Sequence, residues 1–69
     1  MSMRMKWQTR KLTWEWLRVL GAMSSAEIQY VAQCSHPQAL RIMQQLCNIK
    51  LAEYTLEGKT VCIKVNRKP

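Results

Sequence analysis

Aspartate and phenylalanine are absent from the sequence, histidine occurs only at position 36, and there are only two glycines. Without a glycine-rich loop the chain lacks the usual phosphate cradle, and its four glutamates fall on different predicted elements with no pairing suited to acid–base catalysis. The lone His36 has no orienting group that would make it part of a cysteine–histidine nucleophile. We therefore expect a protein that is not an enzyme, with neither a cofactor nor a small-molecule substrate.

Long apolar runs are also missing, since no stretch approaches the roughly 20 residues of a membrane span. The basic N-terminus is not followed by the apolar segment of a secretory signal. The three cysteines, Cys34, Cys47 and Cys62, are odd in number and widely spaced, which fits neither a disulfide framework nor a zinc site. We expect them to be small apolar fillers in the reducing cytoplasm, with no bound metal.

Basic residues outnumber acidic ones by eleven to four, which gives a formal net charge of +7 over 69 residues. Such a protein should attract polyanions, of which nucleic acid is the commonest, whereas a membrane surface would require a basic amphipathic helix that the sequence lacks. Eight of the eleven basic residues lie in two end segments that contain no acid, residues 1–11 and 59–69. They are Arg4, Lys6, Arg10, Lys11, Lys59, Lys64, Arg67 and Lys68. We expect a basic arm over 1–11, one domain over 12–66 and a basic tail over 67–69, in a cytoplasmic, nucleoid-associated protein.

Apolar spacing predicts a first helix from Leu12 to Leu20, with Thr13 as its N-cap. The residues expected to face the core are Leu12, Trp16, Leu17, Val19 and Leu20. Trp14 falls toward the polar flank. Its two interpretations are a ring covered by the basic arm and an anchor for a partner or a second subunit, and Trp7 is assigned to the same kind of contact. Residues 21–23 are expected to be a short link.

Two capping boxes predict the next helices. Ser24 to Glu27 has the serine-to-glutamate spacing that starts a helix running to about Gln33. Residues 35–38, Ser-His-Pro-Gln, repeat that pattern with glutamine three residues after the serine, and proline is tolerated in a first turn. We predict a third helix over about 35–50. Two capped helices joined by a short turn are typical of a helix-turn-helix.

The C-terminal third has strand periodicity. Val61, Ile63 and Val65 alternate with Cys62 and Lys64, which predicts a strand with one buried face. The Glu57–Gly58 pair suits a tight hairpin connection after the preceding apolar segment. Three helices followed by a β-hairpin predict an α+β fold with the element order of a winged helix.

The third helix should have two contrasting sides. Its apolar residues collect on one side, and the other side, which contains no acid, carries Pro37, Gln38, Arg41, Gln44, Gln45 and Asn48. Guanidinium and amide groups are those that hydrogen-bond to guanine and adenine edges in the DNA major groove. The alternative interpretation is an ordinary solvated face that happens to be rich in glutamine.

From Ala26 to Ala52 the sequence resembles the winged helix-turn-helix regulators of prokaryotes and phages. The Ala26–Ile28 stretch resembles the opening of their second helix, Ser35 stands where they cap the recognition helix, and Leu51–Ala52 resembles the hydrophobic pair before the wing. The size and charge are similar to those of the fimbrial-operon regulators of the PapI and FaeA type. Phage or plasmid-borne regulators and excisionases also fit, and no motif selects among these groups.

This resemblance implies binding of double-stranded DNA by a small transcriptional regulator, with Arg41 reading guanine, the glutamines contacting adenine or phosphate, and the wing and termini lying on the backbone. The residues assigned to DNA are Ser35, His36, Gln38, Arg41, Gln44, Gln45, Asn48, Lys59, Lys64, Arg67 and Lys68. The alternatives are an excisionase-like architectural DNA binder and a winged-helix module that binds a protein partner.

Two residues depart from the family pattern. Gln33 stands where many members have glycine in the turn, and Lys50 stands where glycine commonly precedes the wing. Either these residues adopt a positive φ at a cost of about 1 kcal/mol, or the turn has a different shape. The second outcome would change the angle at which the third helix is presented.

Overall fold

Six short elements follow one another in the computed structural model, which describes residues 7–66, with side chains described from Thr9 onward. They are α1 (Trp7–Leu20), β1 (Ala22–Ser24), α2 (Ser25–Ala32), α3 (His36–Asn48), β2 (Ala52–Glu57) and β3 (Thr60–Val65). The three strands form one antiparallel sheet in the order β1-β3-β2. The predicted α+β class, with three helices followed by a two-stranded hairpin in a winged-helix-like layout, is confirmed. None of the helices described is long and apolar enough to cross a membrane.

The two predicted capping boxes are both present. The Ser24 amide donates to Glu27 Oε1 at 2.8 Å, and the Glu27 amide donates to Ser24 Oγ at 3.3 Å. At the start of α3 the Ser35 amide donates to Gln38 Oε1 at 3.0 Å, and the Gln38 amide donates to Ser35 Oγ at 3.3 Å. Such caps each stabilise a helix by about 1 kcal/mol and fix the residue at which it begins.

The predicted start of the first helix is wrong. The helix begins at Trp7 rather than Leu12, so residues 7–11, assigned to the basic arm, are helical. Thr13 is not an N-cap: it is fully buried, and its hydroxyl donates to the Thr9 carbonyl one turn earlier at 3.0 Å. A threonine can satisfy its hydroxyl in this way inside a helix, and no proline or glycine stops the helix from continuing toward the N-terminus. Residues 1–6 and 67–69 lie outside the described part of the chain.

The predicted core face of α1 is also largely wrong. Of the five residues assigned to it only Leu17 is fully buried, and the exposed ones are Leu12, Trp16, Val19 and Leu20. Trp14, predicted to project to the polar flank, packs half-buried against the core, and the Arg18 guanidinium lies 5.9 Å from its ring centroid. The helix carries two apolar faces, and this small domain buries the one that contains Trp14 and Leu17.

The core lies between the helices and one side of the sheet. Its largest fully buried apolar side chains are Leu17, Met23, Ile28, Ile42, Met43, Leu46 and Ile63. Met23 belongs to β1, which was predicted to be a link. Gly21, at φ +91°, turns the chain after α1, and β1 then pairs with β3 so that Met23 lies opposite Ile63. A strand of three residues is too short to produce a recognisable alternation in the sequence.

The predicted alternation of β3 holds only in part. Ile63 is fully buried, but Cys62 is also buried and Val61 is half exposed. Cys62 lies in the central strand of the sheet, paired with Ser24 of β1 on one side and with Thr55 of β2 on the other. Burial raises the pKa of the Cys62 thiol, and the carboxylates of Glu57 and Glu27 raise it further, which keeps the thiol protonated.

All three cysteines are free thiols. Cys62 is buried, as an apolar filler should be, while Cys34 and Cys47 are half-buried at the margin of the core. Among residues 7–66 no group of three or more histidine, cysteine or acidic side chains is placed to hold a metal ion.

Gln33 and Lys50, the two departures from the family's glycine pattern, both adopt a positive φ. Gln33 has φ 56° and ψ 52°, which is the left-handed conformation, and Lys50 has φ 69°. The turn between α2 and α3 therefore has the form that glycine would favour, although a side chain is present. We expect each residue to cost about 1 kcal/mol relative to a relaxed backbone.

The strain at Gln33 predicts that Gln33→Gly raises the free energy of unfolding by up to about 1 kcal/mol, because the relief exceeds the extra chain entropy of glycine. In a domain of this size that corresponds to a rise in melting temperature of about 4–8 °C per kcal/mol. The matched control is Gln44→Gly on the exposed side of α3, which should lower stability by about 1 kcal/mol. Thermal unfolding followed by circular dichroism measures both, and equal destabilisation by the two variants would contradict the argument.

Candidate nucleic-acid interface

The exposed side of α3 carries a row of residues that begins at Pro37 and continues with three polar side chains. Ala39, Ile42, Met43 and Leu46 are buried on its inner side. The outer side exposes Pro37, Arg41, Gln44 and Asn48. The row spans eleven residues after Pro37, which at 1.5 Å per residue is about 16 Å. We call this row the outer row of α3.

The side chains of Arg41, Gln44 and Asn48 are not engaged within the part of the chain that the structure describes. Neither a hydrogen bond nor an ion pair ties any of them to another described residue. The hairpin does not cover them, because all three are exposed. An unpaired guanidinium and two unpaired amides on one helix face can each offer donors to an approaching ligand, and the amides can also accept.

Gln45, predicted to read a base, has a different environment. Its Oε1 accepts a hydrogen bond from Arg10 Nη1 at 2.8 Å, and both side chains are half-buried. Position 45 lies on the side of α3 that faces α1, so its amide joins the two helices. This contact takes Gln45 out of the outer row. The sequence did not indicate it, because Arg10 was assigned to a non-helical arm.

The residues at the start of α3 are also partly engaged. Ser35 and Gln38 bind each other in the capping box, and His36 Nδ1 lies 3.1 Å from Gln29 Nε2. An amide nitrogen can only donate, so this contact places the ring proton of a neutral His36 on Nε2. Gln29 was not assigned to the site from the sequence, because its contact with His36 joins two separate helices.

Few backbone amides remain free to bind an anion at this helix start. The Gln38 amide donates to Ser35 Oγ, the Ala39 amide donates to the Ser35 carbonyl at 2.9 Å, and Pro37 has no amide hydrogen. The amide and the Nε2 proton of His36 are left for a phosphate. The expected phosphate contact therefore depends on His36 more than on Ser35.

The two hairpin lysines differ in how far their charge is compensated. Lys59 is exposed in the turn beside Gly58, which has φ 68°, and no described side chain pairs with it. Lys64 lies directly opposite Glu53 on the neighbouring strand, and its Nζ is 3.8 Å from Glu53 Oε2. An exposed ion pair of this kind is weak, but it lowers the positive potential at Lys64. Arg67 and Lys68 lie outside the described residues, and so does the side chain of Trp7.

A groove of about 460 Å³ separates α3 from the hairpin. Leu40 on α3 faces Tyr54 and Val61 on the strands across it, and each of these three side chains is about half exposed. His36 and Gln44 also line the groove. The sequence had not pointed to this apolar surface, because the apolar residues of the third helix were expected to lie together on one side and Val61 was assigned to the buried face of its strand.

Comparison with protein-family models and with curated protein sequences gives no match for this chain. The winged-helix-like layout and the chemistry of the surface around α3 are therefore the features from which a function can be inferred.

The Arg10–Gln45 contact predicts that Arg10→Ala and Gln45→Ala each lower the free energy of unfolding by about 1 kcal/mol, since each removes the same half-buried hydrogen bond. The double variant should lose less than the sum of the two single losses. Gln44→Ala, one residue away and exposed, is the control and should change stability by less than about 0.5 kcal/mol. Urea unfolding measures all four proteins, and a Gln45→Ala variant as stable as Gln44→Ala would contradict the assignment.

Proposed function

We propose that this protein binds double-stranded DNA with α3 in the major groove and acts as a small transcriptional regulator. The observation that carries the proposal is the outer row of α3, which contains no acid and whose guanidinium and two amides have no partner among the described residues. The row is held on a helix whose start is fixed by a complete capping box. An α-helix with its side chains is about 10–12 Å across and fits a major groove about 12 Å wide.

Within this proposal Arg41 is the main base reader. Its guanidinium can donate two parallel hydrogen bonds to O6 and N7 of one guanine, which is the commonest specific contact to DNA. Gln44 and Asn48, one and two turns further along the same face, can bind N6 and N7 of adenine. Each good two-bond contact discriminates against the wrong base by about 1–3 kcal/mol.

The backbone contacts in this proposal come from the ends of the reading surface. His36 at the start of α3 and Lys59 at the hairpin tip are both exposed, and no described side chain pairs with the Lys59 ammonium. Lys64, Arg67 and Lys68 remain assigned to the backbone, with Lys64 the weakest because of its pairing with Glu53. The net charge of +7 favours approach to a polyanion from any direction.

A second function is favoured by one specific observation, the half-exposed apolar groove formed by Leu40, Tyr54 and Val61 beside α3. Such a surface suits the apolar side chains of a protein partner better than a sugar–phosphate backbone. The alternative is therefore a winged-helix module that binds a protein through this groove. Binding of this kind should depend much less on salt than binding of DNA does.

The proposal predicts different effects for two variants that remove the same charge. After selection of bound duplexes from a random pool, Arg41→Ala should relax the base preference and reduce affinity for the selected sequence by about 1–3 kcal/mol. Lys59→Ala should weaken binding to all duplexes by a similar factor and should reduce the salt dependence by about one phosphate contact. Fluorescence anisotropy with selected and scrambled duplexes over a range of salt concentrations measures both effects.

Equal losses for the two variants on every duplex would mean that Arg41 does not read bases. Absence of duplex affinity even at low salt would overturn the proposal and leave the protein-binding module. In that case Tyr54→Ala should abolish capture of the partner, whereas Arg41→Ala should leave it unchanged.

A further inference from the structure

The guanidinium of Arg10, in the first part of α1, is held against α3 by a hydrogen bond between the two helices. Its Nη1 donates to Gln45 Oε1 at 2.8 Å, and both side chains are half-buried. Arg10 also borders a depression whose other walls include Trp14 of α1 and Leu46 of α3. An arginine packs its methylene stem along such apolar surface and keeps its charged end at the boundary with water. The charge of Arg10 is therefore held at a defined place beside α3.

This charge is not neutralised by an acid within the described part of the chain. Glu53 pairs with Lys64 on the hairpin, and no described acidic side chain lies within ion-pair distance of Arg10. The partner of Arg10 on α3 is a neutral amide, and α3 itself contains no acid. A guanidinium has five N–H donors in a planar fork, so the contact with Gln45 leaves others available. Phosphate oxygens match this fork and can accept two of its hydrogen bonds at once.

The geometry of α3 places this charge beside the outer row. Gln45 lies one turn after Arg41, so their side chains are neighbours along the helix. At 100° per residue Gln45 is turned by about 40° from Arg41 toward α1, whereas Leu40 is turned by about 100° in the opposite direction, toward the hairpin. The exposed Lys59 belongs to the turn of that hairpin. Arg10 and Lys59 therefore lie on opposite flanks of the outer row.

We propose that Arg10 binds a backbone phosphate of the duplex and that Gln45 is the residue that positions it. The inference rests on the proposed function and adds a contact to it. A helix in the major groove lies between two sugar–phosphate backbones, so a cation on each flank of the outer row meets one backbone. Lys59 is the cation on the hairpin flank, and Arg10 is the cation on the α1 flank. Gln45 then contributes to binding through Arg10 and does not read a base.

Fluorescence anisotropy with the selected and scrambled duplexes over a range of salt concentrations tests the phosphate contact. Arg10→Ala should weaken binding of both duplexes by the same factor, roughly five- to tenfold near 0.1 M salt, and should lower the slope of log K against log salt by about 0.9. Arg10→Lys keeps the charge and should keep the slope. The matched control is Arg18→Ala, which removes the same charge about 12 Å further along α1, where the guanidinium lies over the Trp14 ring. It should change the affinity by less than about twofold, because that distance exceeds the screening length in this salt.

A double-variant cycle on the same duplexes separates positioning by Gln45 from base reading by Gln45. If Gln45 acts through Arg10, Gln45→Ala should weaken both duplexes severalfold in the original chain but by less than about twofold in Arg10→Ala. The preference for the selected duplex should stay the same in all four proteins. Circular dichroism verifies that each variant is folded at the temperature of the binding measurement. If Arg10→Ala is unfolded, Arg10→Met keeps the apolar stem and gives the same comparison.

An unchanged salt slope in Arg10→Ala would overturn the proposal, and so would equal losses of affinity in Arg10→Ala and Arg18→Ala. A Gln45→Ala variant that relaxes the base preference even without Arg10 would show that Gln45 reads a base, as the sequence predicted. Each of these results leaves DNA binding by the outer row of α3 intact. Absence of duplex affinity at low salt would instead overturn the proposed function, and the role of Arg10 with it.

Discussion

The rotation of α3 about its own axis is the constraint on which the rest of the structure depends. Ile42, Met43 and Leu46 are buried almost completely, and each such side chain stabilises the fold by about 1.5–3 kcal/mol relative to exposure. Rotating the helix by one residue would expose at least one of them, so the packing fixes which side chains face outward. Arg41 faces solvent because Ile42 and Met43, which follow it, are buried, and the capping box at Ser35 fixes where this face begins.

The contacts around α3 divide its polar residues into two groups. Gln45 joins α3 to Arg10 of α1, and Gln38 completes the cap, so these amides hold the helix in place. Arg41, Gln44 and Asn48 contribute nothing to the fold that the described contacts reveal. Gln33 also helps to position α3, because its left-handed conformation forms the turn that joins α2 to α3. This conformation costs about 1 kcal/mol.

Local signals in the sequence predicted α2, α3 and the hairpin well. The two serine caps, the apolar spacing of α3 and the glycine at position 58 act over a few residues, and each produced the expected element. The predictions that failed concern features that tertiary packing determines. The sequence of α1 offers two apolar faces, and only the position of the sheet and α3 determines that Leu17 and Trp14 are covered while Trp16 is not. β1 forms because its residues pair with β3. Gln45 hydrogen-bonds to Arg10, which lies 35 residues away in the sequence.

The central claim is that the outer row of α3 is the surface that meets duplex DNA. A titration of isotope-labelled protein with duplex, followed through amide chemical shifts, tests this most directly. The account predicts that the largest shifts fall on residues 36–48 and on the hairpin turn around Lys59, with small shifts around Trp16 and Tyr30. Shifts concentrated around Trp16 and Tyr30, with those of Arg41 and Gln44 unchanged, would contradict it.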